Sequence, residues 1–225
     1  MTKRNLFEYL KEQENELLID LLQNCYSKMS SQDKCDVFGS LAQMVNQNQV
    51  KSQINPEQLL QEIQQFQEDS LNEVYYAPFD MNSKNYMNIP KETDEWFDKI
   101  ADLLADTMEL ANQNPSHAVA CFKILFDLIK NLEWGDNIVF ADECGMWMAP
   151  IDEKACVKVY IEAAACVLDV VEYVDHILPL IRRDCHASTN HAYTIATGSA
   201  NPEQLKFLQQ TVSKHKIRNL VLENI

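Results

Sequence analysis

A chain of 225 residues with 46% apolar residues can bury a sizeable core in one large or two small domains, and wholesale disorder is excluded. Its 34 acidic against 19 basic residues give a net charge of −15, with no basic stripe to offset it, which excludes nucleic acid and anionic membranes as expected partners. Four glycines and seven prolines leave few turns that need a positive φ, so an all-α fold with short connections is expected.

Seven cysteines, at 25, 35, 121, 144, 156, 166 and 185, form no CxxC pair and are odd in number. Most sit among apolar residues at helical spacing, as small buried hydrophobes do, which points to a reducing cytoplasm rather than a disulfide framework. The first residues lack the apolar run of a signal peptide. The longest apolar stretch is interrupted by Lys158, Glu162 and Asp169, so no membrane span is expected.

In chain order, Leu6, Leu10, Leu17, Leu21 and Cys25 recur at helical spacing, with Leu18 and Leu22 widening the stripe. A second helix is expected over 32–45, followed by a Gln/Asn-rich connection at 46–53. Three helix starts use one device: Asn55-Pro56, Asn114-Pro115 and Asn201-Pro202 each place Asn at the cap and Pro at the first helical position. Gln58 and Gln204 stand at the capping-box position of two of them.

Residues 75–89 form a long, aromatic-rich connection ending at Pro90, anchored by Tyr76, Phe79 and Tyr86. An acidic helix start follows (Glu92, Asp94, Glu95), with Trp96, Ile100, Leu103, Leu104 and Met108 on one face. Residues 116–132 and 153–171 are apolar on nearly all sides and predict buried helices. Residues 174–181 predict a helix bent or interrupted at Pro179. Two more are expected over 191–196 and 202–222.

The expected architecture is therefore all-α, with eight to nine helices in antiparallel hairpins, as a repeat-like α-α superhelix or a bundle. It reads as one domain over 1–225, with an N-terminal subdomain 1–72 and a core 73–225 as a further division. The one short strand-like run, 138–140, is too short to build a sheet.

Candidate chemistry is sparse. Asp142 and Glu143 form an acid pair beside Cys144, but adjacent side chains on extended backbone point to opposite faces, and the acids oppose thiolate formation. Cys185, His186 and His191, with His176 upstream, are ligand types without a zinc spacing. Asp102 and Asp106 share a helix face, without the Glu-x-x-His of carboxylate metal sites. No phosphate loop, HExxH or GxSxG occurs, and no cofactor is expected.

Residues 75–85, Asp94-Glu95-Trp96-Phe97 and the run from Ile138 to Trp147 (Ile-Val-Phe-Ala-Asp-Glu-Cys-Gly-Met-Trp) resemble a group of uncharacterised all-helical bacterial proteins. The resemblance extends over most of the chain and implies a helical fold with no catalytic residues to transfer. The functional expectation is a non-enzymatic cytoplasmic protein–protein interaction module or homo-oligomer, binding through Tyr75, Tyr76, Phe79, Tyr86 and Trp147. The alternative is a small-molecule or metal-binding protein, with or without enzymatic activity, using Asp142, Glu143, Cys185, His186 and His191.

Overall fold

The structure, a computed structural model, describes residues 3–26, 54–80, 82, 90–135, 137–140, 151–186 and 190–214. Among the described residues there are nine helices and no strand: α1 (Lys3–Leu10), α2 (Asn15–Tyr26), α3 (Pro56–Leu71), α4 (Lys91–Ala111), α5 (Pro115–Glu133), α6 (Glu153–Val167), α7 (Val170–His186), α8 (His191–Ser199) and α9 (Pro202–Lys214). The fold is all-α, and none of these helices is long and apolar enough to cross a membrane. The expected helix at 32–45 and the segment 46–53 lie outside the described residues. The chain separates into two compact units, 1–52 and 53–225, so α3 packs with the larger one rather than with an N-terminal subdomain.

In the first unit, the apolar residues on either side of Leu10–Leu17 keep one helical phase, yet the helix breaks. The run from Lys11 to Asn15 is entirely polar and offers no apolar position to bury. The Gln13 side-chain amide donates to the Tyr9 carbonyl at 3.0 Å, and backbone bonds from Glu12 to Tyr9 and Gln13 to Leu10 close α1. No residue of α2 is buried, and Leu17, Ile19, Leu21 and Leu22 are exposed.

The second unit is organised around α5, which packs on α3, α4 and α6. Its buried set, Ala118, Val119, Cys121, Phe122, Leu125, Phe126, Leu128, Ile129 and Leu132, runs round most of the helix, as a helix enclosed by neighbours requires. On α3 the buried residues are Leu59, Ile63, Phe66 and Ser70, spaced by four, three and four along one stripe. Helix α6 joins the halves of the unit, contacting α4 and α5 on one side and α7 and α8 on the other, while α9 packs on α7 and α8. Each fully buried Leu, Ile or Phe contributes about 1.5–3 kcal/mol relative to exposure.

All three Asn-Pro starts cap as expected. Asn55 Oδ1 accepts from the Gln58 N–H at 3.1 Å, Asn114 Oδ1 from His117 at 3.2 Å, and Asn201 Oδ1 from Gln204 at 2.9 Å. At the third the box is reciprocal, because Gln204 Oε1 accepts from the Asn201 N–H at 3.0 Å.

Two expected boundaries shift. The helix predicted over 153–171 ends at Val167, because Leu168 turns extended and Asp169 caps the next helix, its Oδ1 accepting from Val171 and Glu172 at 2.9 and 2.8 Å. Helix α7 then runs through Pro179 without interruption, with the proline on its exposed side. The expected burial of cysteines holds for Cys121 and Cys156, whereas Cys25 and Cys166 are exposed. Cys35 and Cys144 lie outside the described residues.

Candidate partner-binding cleft

Helices α3 and α5 both end in left-handed backbone. After α3, Glu73 adopts φ 61°, with Val74 N–H bonded to Asp69 O at 3.0 Å and Glu73 N–H to Ser70 O at 3.2 Å. This is the paired closure of a Schellman cap, with glutamate where glycine is favoured. After α5, Gly135 adopts φ 92°, and its N–H reaches Leu132 O at 3.3 Å. The two chain reversals lie side by side: the Asn137 amide donates to Glu73 Oε1 at 3.5 Å.

The short segment beyond Gly135 is held from below and above. Ile138 and Val139 are buried, and Thr93 Oγ1, in the first turn of α4, donates to the Phe140 carbonyl at 2.9 Å. The aromatic connection after α3 closes over it. Tyr76 and Phe79 meet Phe140 edge-to-face, with ring centres 6.1 and 5.1 Å away, and Tyr75 meets Phe66 at 5.6 Å. The two irregular segments singled out in the sequence therefore touch. Desolvation and then Asp69 push the Tyr75 phenol upward, so it stays protonated.

Between the reversals lies an open cleft of about 330 Å³ lined by Ser70, Leu71, Glu73, Gly135, Asn137 and Ile138. Three large apolar residues belonging to the two reversals stay in water: Leu71 is 48% exposed, Val74 59% and Trp134 80%. The Lys130 ammonium sits 4.9 Å from the Trp134 ring centre.

The expected partner-binding aromatics divide accordingly. Tyr75, Tyr76 and Phe79 are half-buried and pin the connection to the helices. Tyr86 and Trp147 lie outside the described residues. The exposed apolar residues of the two reversals, Leu71, Val74 and Trp134, of which Leu71 lines the cleft, were not singled out by sequence. Only the Trp134-Gly135 pair carried a signal, a glycine directly after a helical run.

Among the metal candidates, Asp142 and Glu143 lie outside the described residues, and Cys185 and His186 fall in the last turn of α7 with side chains outside the description. His191 opens α8, half-buried, its Nε2 atom buried without a hydrogen-bond partner among the described residues. His176 is nine residues before Cys185 on the same helix, roughly 13 Å along its axis, too far to share an ion. It is engaged elsewhere: Tyr160 O–H lies 2.9 Å from His176 Nδ1. Among the described residues no three His, Cys, Asp or Glu side chains converge on a metal-sized site. Burial pushes the Cys121 thiol up to about 11 and the Cys156 thiol up to about 12, so neither is a nucleophile near neutral pH.

No protein-family model matches the chain, and comparison with curated proteins and with solved structures gave no match.

Proposed function

We propose that the protein is a non-enzymatic helical interaction module that holds a polypeptide partner at the cleft between Glu73 and Gly135. The observation that carries this reading is the trio Leu71, Val74 and Trp134, left in water on the two chain reversals that border the indentation, which Leu71 lines beside the buried Ser70 and Ile138. An exposed tryptophan costs solvation and packs nothing inside the fold, whereas tryptophan at a pocket rim is the residue type that most often anchors a partner. Tyr75, Tyr76 and Phe79, half-buried on Phe66 and Phe140, pin the adjoining connection and keep partly exposed rings beside the surface. Among the described residues, the free thiols of Cys25, Cys121, Cys156 and Cys166 support a reducing, cytoplasmic setting.

The test is site-specific photo-cross-linking in the native host. A benzophenone amino acid is placed at Trp134, at Val74 or at exposed Gln209 on α9. Adducts to one polypeptide, a foreign chain or a second copy, are expected from the first two positions and not from Gln209. Adducts equally frequent at all three, or at none, would overturn the assignment.

A further inference from the structure

We infer that the cleft receives a basic side chain, so that the partner's contact segment carries an arginine or lysine beside apolar residues. This inference rests on the interaction reading above.

Three independent sources of negative potential meet at the cleft. The first is the Glu73 carboxylate, whose contact among the described residues is the long 3.5 Å bond from the neutral Asn137 amide. The other two are helix ends. Both α3 and α5 stop at the cleft, and the carboxyl end of a helix carries roughly half an elementary negative charge. The last turn of α3 contains no basic residue to offset it. The last turn of α5 contains Lys130, whose ammonium lies over the Trp134 ring.

The apolar rim fits the same occupant. An arginine or lysine has a three- or four-carbon stem that needs apolar cover and a charged head that needs a carboxylate or carbonyl oxygens. Leu71, which lines the cleft, supplies the cover, and Glu73 and the helix ends the acceptors. Trp134, next in the chain to the lining Gly135, carries an aromatic face of the kind on which guanidinium groups stack, and Lys130 already shows that ring beside a cation. The unit carrying the cleft has 13 basic and 27 acidic residues by count of the sequence, a net charge of −14 that draws in a basic segment. Glutamate at a left-handed position, where glycine costs nothing, is the residue choice expected if the carboxylate itself is used.

The experiment uses the full-length chain with the benzophenone at Trp134 and varies Glu73. Glu73→Gly removes the carboxylate and relieves the backbone, so its fold is at least as stable as the parent's. Glu73→Lys reverses the charge. Relative to the parent, Glu73→Gly is expected to lower the adduct yield about threefold or more and Glu73→Lys tenfold or more. Mass spectrometry of the adduct should place an arginine or lysine within two residues of the cross-linked site. Yields within twofold of the parent in both variants, or a contact segment with no basic residue, would overturn this inference while leaving the interaction surface standing. Absence of any adduct from Trp134 or Val74 would remove both.

Discussion

The indole N–H of Trp96 donates to Ser70 Oγ at 2.9 Å, and Ser70 Oγ donates onward to the Phe66 carbonyl at 2.7 Å. Trp96 and Ser70 are both fully buried, so water cannot replace either bond. The link ties the first half of α4 to the last turn of α3, whose next residues line the cleft. Ser70→Ala leaves the indole N–H orphaned and is expected to cost about 1–3 kcal/mol in urea unfolding. Trp96→Phe combined with Ser70→Ala should cost less than the sum of the two single changes, because the second removes what the first left unsatisfied. Strict additivity would show that the bond carries no coupling.

Gln204 caps two helices at once. Its Oε1 closes the start of α9 on Asn201, while its Nε2 donates to the carbonyls of Ala165 and Leu168, at 3.3 and 3.0 Å, where α6 runs out. The side chain is fully buried. Gln204→Leu keeps the volume but strands one donor and two acceptors, with an expected loss on the order of 2–3 kcal/mol. Gln204→Glu should be worse at pH 7, since it sets a carboxylate against the negative end of α6, and should recover partly at pH 4. A Gln204→Glu variant as stable as the parent at pH 7 would rule the double cap out.

The left-handed positions make opposite predictions. A Cβ at Gly135 would meet nothing within 4 Å, so Gly135→Ala tests backbone conformation alone and should cost about 1 kcal/mol. Glu73→Gly should gain a comparable amount in thermal unfolding, less whatever the bond to Asn137 contributes. Equal and small effects at both sites would mean that neither φ is held as described.

How much of this was legible in the sequence depended on range. The Asn-Pro caps and the all-round apolar character of α5 are local signals, and both were readable. The break after Val167 was hidden because Asp169 reads as a polar interruption in a helical period until it is seen capping α7. Gln204 announced its capping box, a contact three residues away, but not its bonds to Ala165 and Leu168, more than thirty residues away. The cleft shows the same limit. Tyr76 and Phe79 were visible as aromatics in irregular backbone, but their half-burial on Phe140 depends on a segment about sixty residues later. Trp134 reads as one more apolar residue of α5 until its exposure is known.

Tyr160 and His176 set a pH dependence with a definite sign. Desolvation, and then Lys123, hold the His176 imidazole below its ordinary value, against the opposing pull of Glu172, Asp127 and Asp175. Burial and then Asp127 push the Tyr160 hydroxyl up, so it stays protonated beside the neutral imidazole, its ring stacked on Phe122 and Phe126. The unfolded histidine takes a proton near 6.5, whereas the folded one resists. The contribution is therefore complete above that value and is lost as pH falls through the lower folded value. His176→Asn, which keeps an acceptor near the Nδ1 position but does not titrate, should flatten the stability slope between pH 7 and 5. An unchanged slope would assign it to other groups.

Arg183 holds the end of α5 in place. Its Nε donates to Glu133 Oε2 at 2.8 Å, and its Nη1 to Glu153, so one guanidinium on α7 joins the end of α5 to the start of α6. The arginine side chain is 31% exposed and its two partners 28% and 29%, a half-sheltered setting in which such a network outweighs a surface pair. Desolvation opposes the charge, and the bonds to Glu133 and Glu153 more than offset it, raising the pKa overall. Arg183→Met leaves two carboxylates without their shared cation, with an expected loss of about 2 kcal/mol. Arg183→Lys should recover only part of it, since an ammonium cannot bind both acids in the guanidinium's fork. Glu133 directly precedes Trp134, so loosening it should also lower the cross-link yield at that position. Full stability and full yield in Arg183→Met would mean that the end of α5 is fixed by its core packing alone.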